Sequence, residues 1–178
     1  MIKNKEDLSY YLSMDAQAQG RNGQSPCFIG DYVWKYLIAL RHKEYWYNTQ
    51  GRLWRKLPLL FWKWKCSRLG RLLGFEIPVN VCGYGLKINH SGLLIINEKA
   101  NIGNFCSIHQ GVIIGEKPGT EGAPQIGANV YIGPGAKIFG NIQIADNIKI
   151  GANSVVNKSF LTPNVTIVGV PAHQVHPK

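Results

Sequence analysis

The sequence predicts an α-helical N-terminal region followed by a solenoid of short strands, a combination of the α+β class. Three observations lead to this prediction. Aliphatic residues recur every six positions in the second half of the chain, and a small or polar residue commonly follows each one. All five tryptophans and all six arginines precede Gly74. Gly and Pro suspend the period at 115–125, as in a loop. We therefore expect a helical region at 1–74 and a solenoid at 75–178 with a C-terminal tail.

The six-residue period is the strongest signal in the sequence. Its aliphatic positions are Ile96, Ile102, Ile108, Ile114, Ile126, Ile132, Ile138, Ile144, Ile150 and Val156. A period of six matches neither the turn of an α-helix nor the alternation of a half-buried strand. It fits one short strand and one turn per repeat, so that three repeats close a triangular coil with the aliphatic side chains inside. Several stacked coils are needed to bury these side chains.

Composition and charge set broader limits. The chain has 178 residues, 45% of them hydrophobic, which suits one domain, or one domain with a small appendage, and a real core. Its formal charge is +10, and residues 1–74 carry 13 basic and 5 acidic side chains against 7 and 5 in residues 75–178. This excess favours an anionic ligand, an anionic membrane surface or nucleic acid without choosing among them. The sequence has no run of about 18 apolar residues that could span a bilayer, and its N-terminus lacks the apolar stretch of a signal peptide. We therefore expect a cytoplasmic protein.

Several segments resemble serine acetyltransferases, which are hexapeptide-repeat acyltransferases with a left-handed parallel β-helix. They are Ile88-Asn89-His90-Ser91-Gly92, Ser107-Ile108-His109-Gln110-Gly111 and Val168-Gly169-Val170-Pro171-Ala172. The likeness is greatest to short members associated with polysaccharide gene clusters, and it covers 75–175 well and the N-terminal helices more loosely. It implies an acetyl-CoA-dependent O-acetyltransferase without a metal, assembled as a homotrimer with active sites between subunits. It also implies that the loop at 115–125 reaches a neighbouring subunit, although a tolerated insertion remains the alternative.

The resemblance assigns the role of general base to His90. A count of six back from Ile96 reaches His90, so its imidazole occupies or adjoins a position where the period expects an aliphatic residue. A neutral imidazole accepts a proton from an acceptor hydroxyl and returns it to the departing thiolate. Such a base needs an orienting partner. Glu76 matches the family's partner carboxylate when one gap is allowed, although an exposed charge at a strand end is an equal alternative. His109 is a second candidate, for acceptor binding, subunit contact or no chemical role.

The acceptor-binding positions depart from the family pattern. Asn89 stands where the family has Asp, and Gly122 and Ala123 stand where its loop has Arg and His. A site for a zwitterion presents both signs of charge, which a sugar hydroxyl does not need. We therefore predict transfer to a sugar or polysaccharide precursor; serine O-acetylation is the alternative, and a non-catalytic hexapeptide scaffold a remote one. A zinc-dependent carbonic anhydrase is disfavoured, because it needs three His ligands and the repeats hold only His90 and His109.

Lysines and turn amides are the candidates for binding acetyl-CoA. Lys117 and Lys158 suit its phosphates, although a solvated surface is the simpler interpretation of each lysine alone. The turns at Gly133, Ala136 and Gly151 are expected to bind the pantetheine arm and to stabilise the oxyanion through their backbone N–H groups.

Helices are expected before residue 74. Asn4 predicts a capped helix over 5–18, and Ser25-Pro26 predicts the start of a second helix. Residues 52–73 are basic and aromatic without an acidic residue, and Pro58 should break or kink a helix there.

These helices have three possible roles. A cap over the open end of the solenoid is the first, because an uncapped solenoid exposes apolar edges. Peripheral contact of 52–73 with the inner face of an anionic membrane is the second, and it is compatible with a cap. Nucleic-acid binding is disfavoured, because no recognised motif supports it.

Overall fold

The computed structural model describes residues 1–49 and 56–175. Three helices come first: α1 (Lys5–Ala18), α2 (Tyr32–Asn48) and α3 (Lys56–Leu73). The strands that follow are β1 (Phe75–Glu76), β2 (Lys87–Ile88), β3 (Leu94–Ile96), β4 (Asn101–Ile102), β5 (Ser107–Ile108), β6 (Val112–Gly115), β7 (Gln125–Ile126), β8 (Tyr131–Ile132), β9 (Lys137–Phe139), β10 (Gln143–Ile144), β11 (Lys149–Ile150), β12 (Val155–Val156), β13 (Thr166–Gly169) and β14 (Ala172–Val175).

The strands form three sheets, which are the faces of a triangular prism. The first sheet has the order β1-β3-β6-β9-β12, the second β10-β7-β4, and the third β14-β13-β11-β8-β5-β2. Among the described strands, every pairing is parallel except that of β13 with β14. Ile108 pairs with Ile88 below it and with Ile132 above it, so the coils stack in register. The predicted α-helical region followed by a left-handed parallel β-helix is confirmed.

One aliphatic side chain per strand fills the axis of the prism. Each of the predicted inward positions from Ile96 to Val156 is at most 3% exposed. Ile102, Ile126 and Ile144 form one such column along the second sheet. Because a single coil cannot bury its own aliphatics, this core is made by stacking.

The start of α1 is as predicted, and the start of α2 is not. The Asn4 side chain accepts a hydrogen bond from the Asp7 N–H at 2.7 Å and caps α1. The helix predicted from Ser25-Pro26 begins only at Tyr32. The carboxylate of Asp31 accepts from the Cys27 N–H at 3.0 Å and holds the chain before α2 in a turn instead of a helix.

Pro58 does not break α3, contrary to the sequence prediction. The described helix runs from Lys56 to Leu73 and passes through Pro58. The predicted segment 52–73 therefore becomes a helix from Lys56, and residues 52–55 lie outside the described residues.

The helices cap the first coil through a buried ion-pair cluster. Arg41 of α2 is fully buried between Asp15 of α1 and Glu44, with nitrogen–oxygen distances of 2.7 and 2.9 Å. Burial lowers the pKa of Arg41, but the two carboxylates raise it, and the net shift is upward. The guanidinium also donates to the backbone carbonyls of Cys82 and Gly83. The predicted cap is thus built on polar contacts as well as apolar ones.

Candidate active site

The turns from the third sheet into the first sheet gather most of the predicted site residues at one edge of the prism. They follow β2, β5, β8 and β11 and comprise 89–93, 109–111, 133–136 and 151–154. We call these four turns the histidine corner. It contains Asn89, His90, His109, Gly133, Ala136 and Gly151. The other predicted site residues, Glu76, Lys117 and Lys158, lie elsewhere.

A longer turn presents His90 to solvent. Five residues separate the inward-facing Ile88 and Leu94, whereas three separate Ile108 and Val112 in the next coil. The two additional residues make the chain bulge away from the axis. Ile88, 1% exposed, holds the inward position, and His90 is exposed. The count of six that put His90 at or beside an inward position is therefore wrong, because the turn breaks the period.

Three rings from successive coils lie next to one another at this corner. The ring centroids of His90 and His109 are 6.0 Å apart, and those of His109 and Tyr131 are 5.1 Å apart in an edge-to-face arrangement. Partial burial lowers the pKa of His109, and the charges of His90 and Lys87 lower it further. The lowered pKa favours the neutral imidazole of His109, which can hydrogen-bond to a substrate beside His90.

The lowered pKa of His109 can be tested by titration. We expect its imidazole signals in NMR to titrate below the ordinary value of about 6.5. Lys87→Gln should raise the pKa of His109, because it removes a nearby positive charge. Lys149→Gln is the matched control, since Lys149 occupies the same column of the third sheet beyond Tyr131. Equal shifts in both variants, or no shift in either, would contradict the assigned cause.

Asn89 is held by its own chain. Its side-chain nitrogen donates to Ser107 Oγ at 2.9 Å and to the Ile108 carbonyl at 3.3 Å. These bonds leave the side-chain oxygen as the group that can contact a substrate. Asn89 therefore offers a neutral acceptor next to His90, where a carboxylate would offer a charged one.

Gln110 is a residue of the histidine corner that sequence reasoning did not single out. Its side-chain oxygen is buried and has no hydrogen-bond partner among the described residues. The side chain lies against Gly92 in the bulge, where an added Cβ would be 3.0 Å from the Cβ of Gln110. A buried, unpaired oxygen is costly in a folded protein. Gln110 belongs to the motif at 107–111, but the sequence does not show that a polar residue in a turn will be buried.

The backbone N–H groups predicted to bind the pantetheine arm are already paired. Gly133 donates to the Ile150 carbonyl at 2.9 Å, Gly151 to Ile167 at 2.9 Å, and Ala136 to Gly133 at 3.3 Å. The side chain of Ala136 is fully buried. These three amides hold the coils together, and binding of the pantetheine arm at these turns stays a prediction.

Glu76 lies apart from His90 within one chain. It borders a cavity of about 630 Å³ between α3 and the first sheet, which Lys43, Lys63 and Arg71 also line. No hydrogen bond or ion pair joins Glu76 to His90 in the part of the chain that the structure describes. The structure thus places the predicted partner carboxylate in a basic cavity.

Lys117 and Lys158 lie at the corner between the first and second sheets. Both are exposed, and Lys158 Nζ lies 5.5 Å from the centroid of the Phe160 ring. The loop that carries Lys117 is fixed to its own coil by an ion pair of 2.7 Å between Lys99 and Glu116. Ala123, near the end of this loop, is 1% exposed and belongs to the core. Across residues 1–49 and 56–175, no cluster of three His, Cys, Asp or Glu side chains is arranged to hold a metal ion.

The solenoid matches a known family model. Residues 123–158 match the model described as bacterial transferase hexapeptide (six repeats). A serine acetyltransferase of Staphylococcus epidermidis is 35% identical over an alignment of 181 positions that covers 98% of this chain and 79% of that protein. A serine acetyltransferase of Synechococcus elongatus is 41% identical over 114 residues, covering 62% of this chain and 46% of that protein, less than half its length.

Solved structures give the same result. The crystal structure of a serine acetyltransferase from Brucella abortus superposes with a TM-score of 0.67 at 30% identity and covers 96% of this chain and 69% of that one. A serine acetyltransferase of Neisseria gonorrhoeae, solved in complex with serine, superposes with a TM-score of 0.69 at 29% identity, covering 94% and 69%.

Proposed function

Because the chain belongs to the serine acetyltransferase family of hexapeptide-repeat O-acetyltransferases, we propose that it transfers the acetyl group of acetyl-CoA to the hydroxyl of serine. The observation that carries this proposal is the exposed His90 on the bulged turn, 6.0 Å from the ring of His109. An exposed imidazole beside a second ring and two polar side chains suits an enzyme that deprotonates a hydroxyl. Serine is the acceptor because the relatives described above are named for it.

The chemistry needs one base and no covalent enzyme intermediate. His90 accepts the hydroxyl proton while the serine oxygen attacks the thioester carbon. The tetrahedral oxyanion then collapses, the carbon–sulfur bond breaks, and the imidazolium returns the proton to the thiolate of CoA. The imidazole of His109 hydrogen-bonds to the acceptor, and the side-chain oxygen of Asn89 accepts from its donor groups. Glu76 remains the proposed partner carboxylate of an assembled site.

We assign the donor phosphates to Lys117 and Lys158 and the assembly to a homotrimer. The proposed site residues divide between two corners on opposite edges of the first sheet. A single prism cannot bring these corners together, whereas packing against a neighbouring copy can. The outward side chains of Ile95, Ile113 and Val155 on this sheet are half-buried aliphatics, which suit such packing. The cytoplasm stays the predicted location.

A sugar hydroxyl is the second candidate acceptor. The sequence-based prediction preferred it, but none of the relatives described above is named for a sugar. One feature of the site still favours it. Asn89 is neutral and Gly122 has no side chain, so these positions supply no charge to a zwitterion. The acceptor is therefore the property to test first.

A thiol-release assay with acetyl-CoA distinguishes the two acceptors. We expect the chain to release CoA rapidly with L-serine and slowly with a panel of free sugars and nucleotide sugars. Asn89→Asp should raise kcat/KM for serine by about tenfold, because a carboxylate pairs with the serine ammonium. Asn89→Ser is the matched control and should not raise it. Release that depends on a sugar and not on serine would overturn the proposed acceptor.

A further inference from the structure

Helix α3 carries apolar residues on two opposite sides. Leu59, Cys66, Gly70 and Leu73 are buried against the rest of the protein. A second set, at spacings of three and four along most of the helix, faces solvent: Leu57, Leu60, Phe61, Trp64 and Leu72. Since a helix turns about 100° per residue, Cys66 lies about 200° around the axis from Trp64. We call the exposed set the outer face of α3.

The outer face is strongly apolar and lacks any cover in the described part of the chain. Leu57 is 71% exposed, Leu60 61%, Trp64 55% and Phe61 51%. A helix that is apolar on both sides is expected where both sides are buried. A contiguous exposed apolar patch of this kind marks a protein or membrane contact.

Basic side chains surround the outer face, and α3 contains no acidic residue. The Arg68 guanidinium lies 5.6 Å from the ring centroid of Trp64, and Lys65 Nζ lies 5.9 Å from that of Phe61. Arg71 is also exposed on this side of the helix. The pattern is therefore one of aromatic residues bordered by cations.

A groove extends the outer face towards the start of α2. It has a volume of about 740 Å³ and lies between Phe61, Trp64 and Leu72 of α3 and Tyr32 of α2. Lys35 stands at its edge, with Nζ 5.4 Å from the centroid of the Tyr32 ring. The basic and apolar surface thus spans two helices.

We infer that the outer face of α3 binds the surface of an anionic lipid bilayer. Trp and Phe enter the headgroup boundary while the surrounding Lys and Arg attract acidic headgroups. A second copy of the chain is a poorer occupant, because it would bring together two helices whose charged residues are all basic, without an acidic partner. No helix in the described ranges is long and apolar enough to cross a bilayer, so the contact is peripheral.

Co-sedimentation of the full chain with large unilamellar vesicles tests this inference. We expect binding to vesicles that contain about one third phosphatidylglycerol and little binding to pure phosphatidylcholine. The double variant Lys65→Gln/Arg68→Gln should lower the partition coefficient roughly 10- to 30-fold. Phe61→Ser/Trp64→Ser should lower it about tenfold or more. Lys3→Gln/Lys5→Gln is the matched control: it removes the same charge from exposed positions of the N-terminal segment.

Three outcomes of the vesicle experiment would overturn the inference. Failure of the unaltered chain to bind anionic vesicles would do so directly. An equal loss in the control would show that net charge, and not the outer face, drives binding. A Phe61→Ser/Trp64→Ser variant that changes the sedimentation mass without changing vesicle binding would assign the face to protein association. Acetyl transfer measured without vesicles is independent of these results, so failure here leaves the proposed function standing.

Discussion

We expect that replacing His90 with alanine will lower the turnover of acetyl-CoA with serine by about 10²–10⁴-fold, which is the usual contribution of the general base that His90 is proposed to be. The side chain is exposed on its bulged turn, so the substitution removes no core contact. We therefore expect the circular dichroism, the melting temperature and the oligomeric mass to be unchanged. Steady-state thiol release, with both substrates varied, measures the effect on kcat and on KM separately.

His173→Ala is the matched control for this experiment. His173 is exposed on the last strand, β14, outside the histidine corner, and its loss should leave turnover within a factor of about two. His109→Ala should have an intermediate effect, because its proposed role is to contact the acceptor without taking its proton. Turnover near that of the unaltered chain in His90→Ala would remove His90 from the mechanism.

Replacing Arg41 with alanine lowers the free energy of unfolding by about 3–5 kcal/mol, because it leaves two buried carboxylates without their cation. Asp15 and Glu44 are each 2% exposed, so water cannot take the place of the guanidinium. The carbonyls of Cys82 and Gly83 also lose their donor. Thermal and urea unfolding followed by circular dichroism measure the loss, which corresponds to roughly 6–20 °C in melting temperature.

Arg21→Ala is the control for the Arg41 result. Arg21 pairs with Asp31 at 2.8 Å, but its side chain is 43% exposed, so we expect a change of about 1 kcal/mol or less. Arg41→Lys should fall between the two, since it keeps the charge and loses the forked geometry. If Arg41→Ala and Arg21→Ala are equally mild, the buried cluster does not hold the cap.

The solenoid was predictable because its rule is local and repeated. Each strand must place one aliphatic residue on the axis, and Ile126, Ile132 and Ile138 follow this rule at intervals that counting can detect. The start of α2 was not predictable in the same way. Ser25-Pro26 is a common opening of a helix, but the carboxylate of Asp31 holds this segment in a turn. That contact becomes visible only when the chain is folded.

The sequence indicated which residues to consider for the candidate site, but it predicted their arrangement less well. The motif around His90 led to its proposal as the base, yet counting put the ring at or beside the axis, because the longer turn that breaks the six-residue period is visible only in the folded chain. The pairing of the Gly133 and Gly151 amides depends on carbonyls of the next coil, Ile150 and Ile167, which lie 17 and 16 residues further along the sequence. The burial of Arg41 could not be predicted from the sequence either. A single basic residue in a helix is expected to face solvent unless its acidic partners, here Asp15 and Glu44, are known.

Specific contacts cover part of each end of the prism. A stack of parallel strands ends in rows of unpaired N–H and C=O groups, which favour end-to-end growth into filaments. At the first coil, the Asp15 carboxylate accepts a hydrogen bond from the Leu86 N–H, and the Arg41 guanidinium donates hydrogen bonds to the carbonyls of Cys82 and Gly83. At the last coil, β14 runs antiparallel to β13, a direction that no further coil can continue. These contacts oppose end-to-end growth at the first coil and along the third sheet at the last coil.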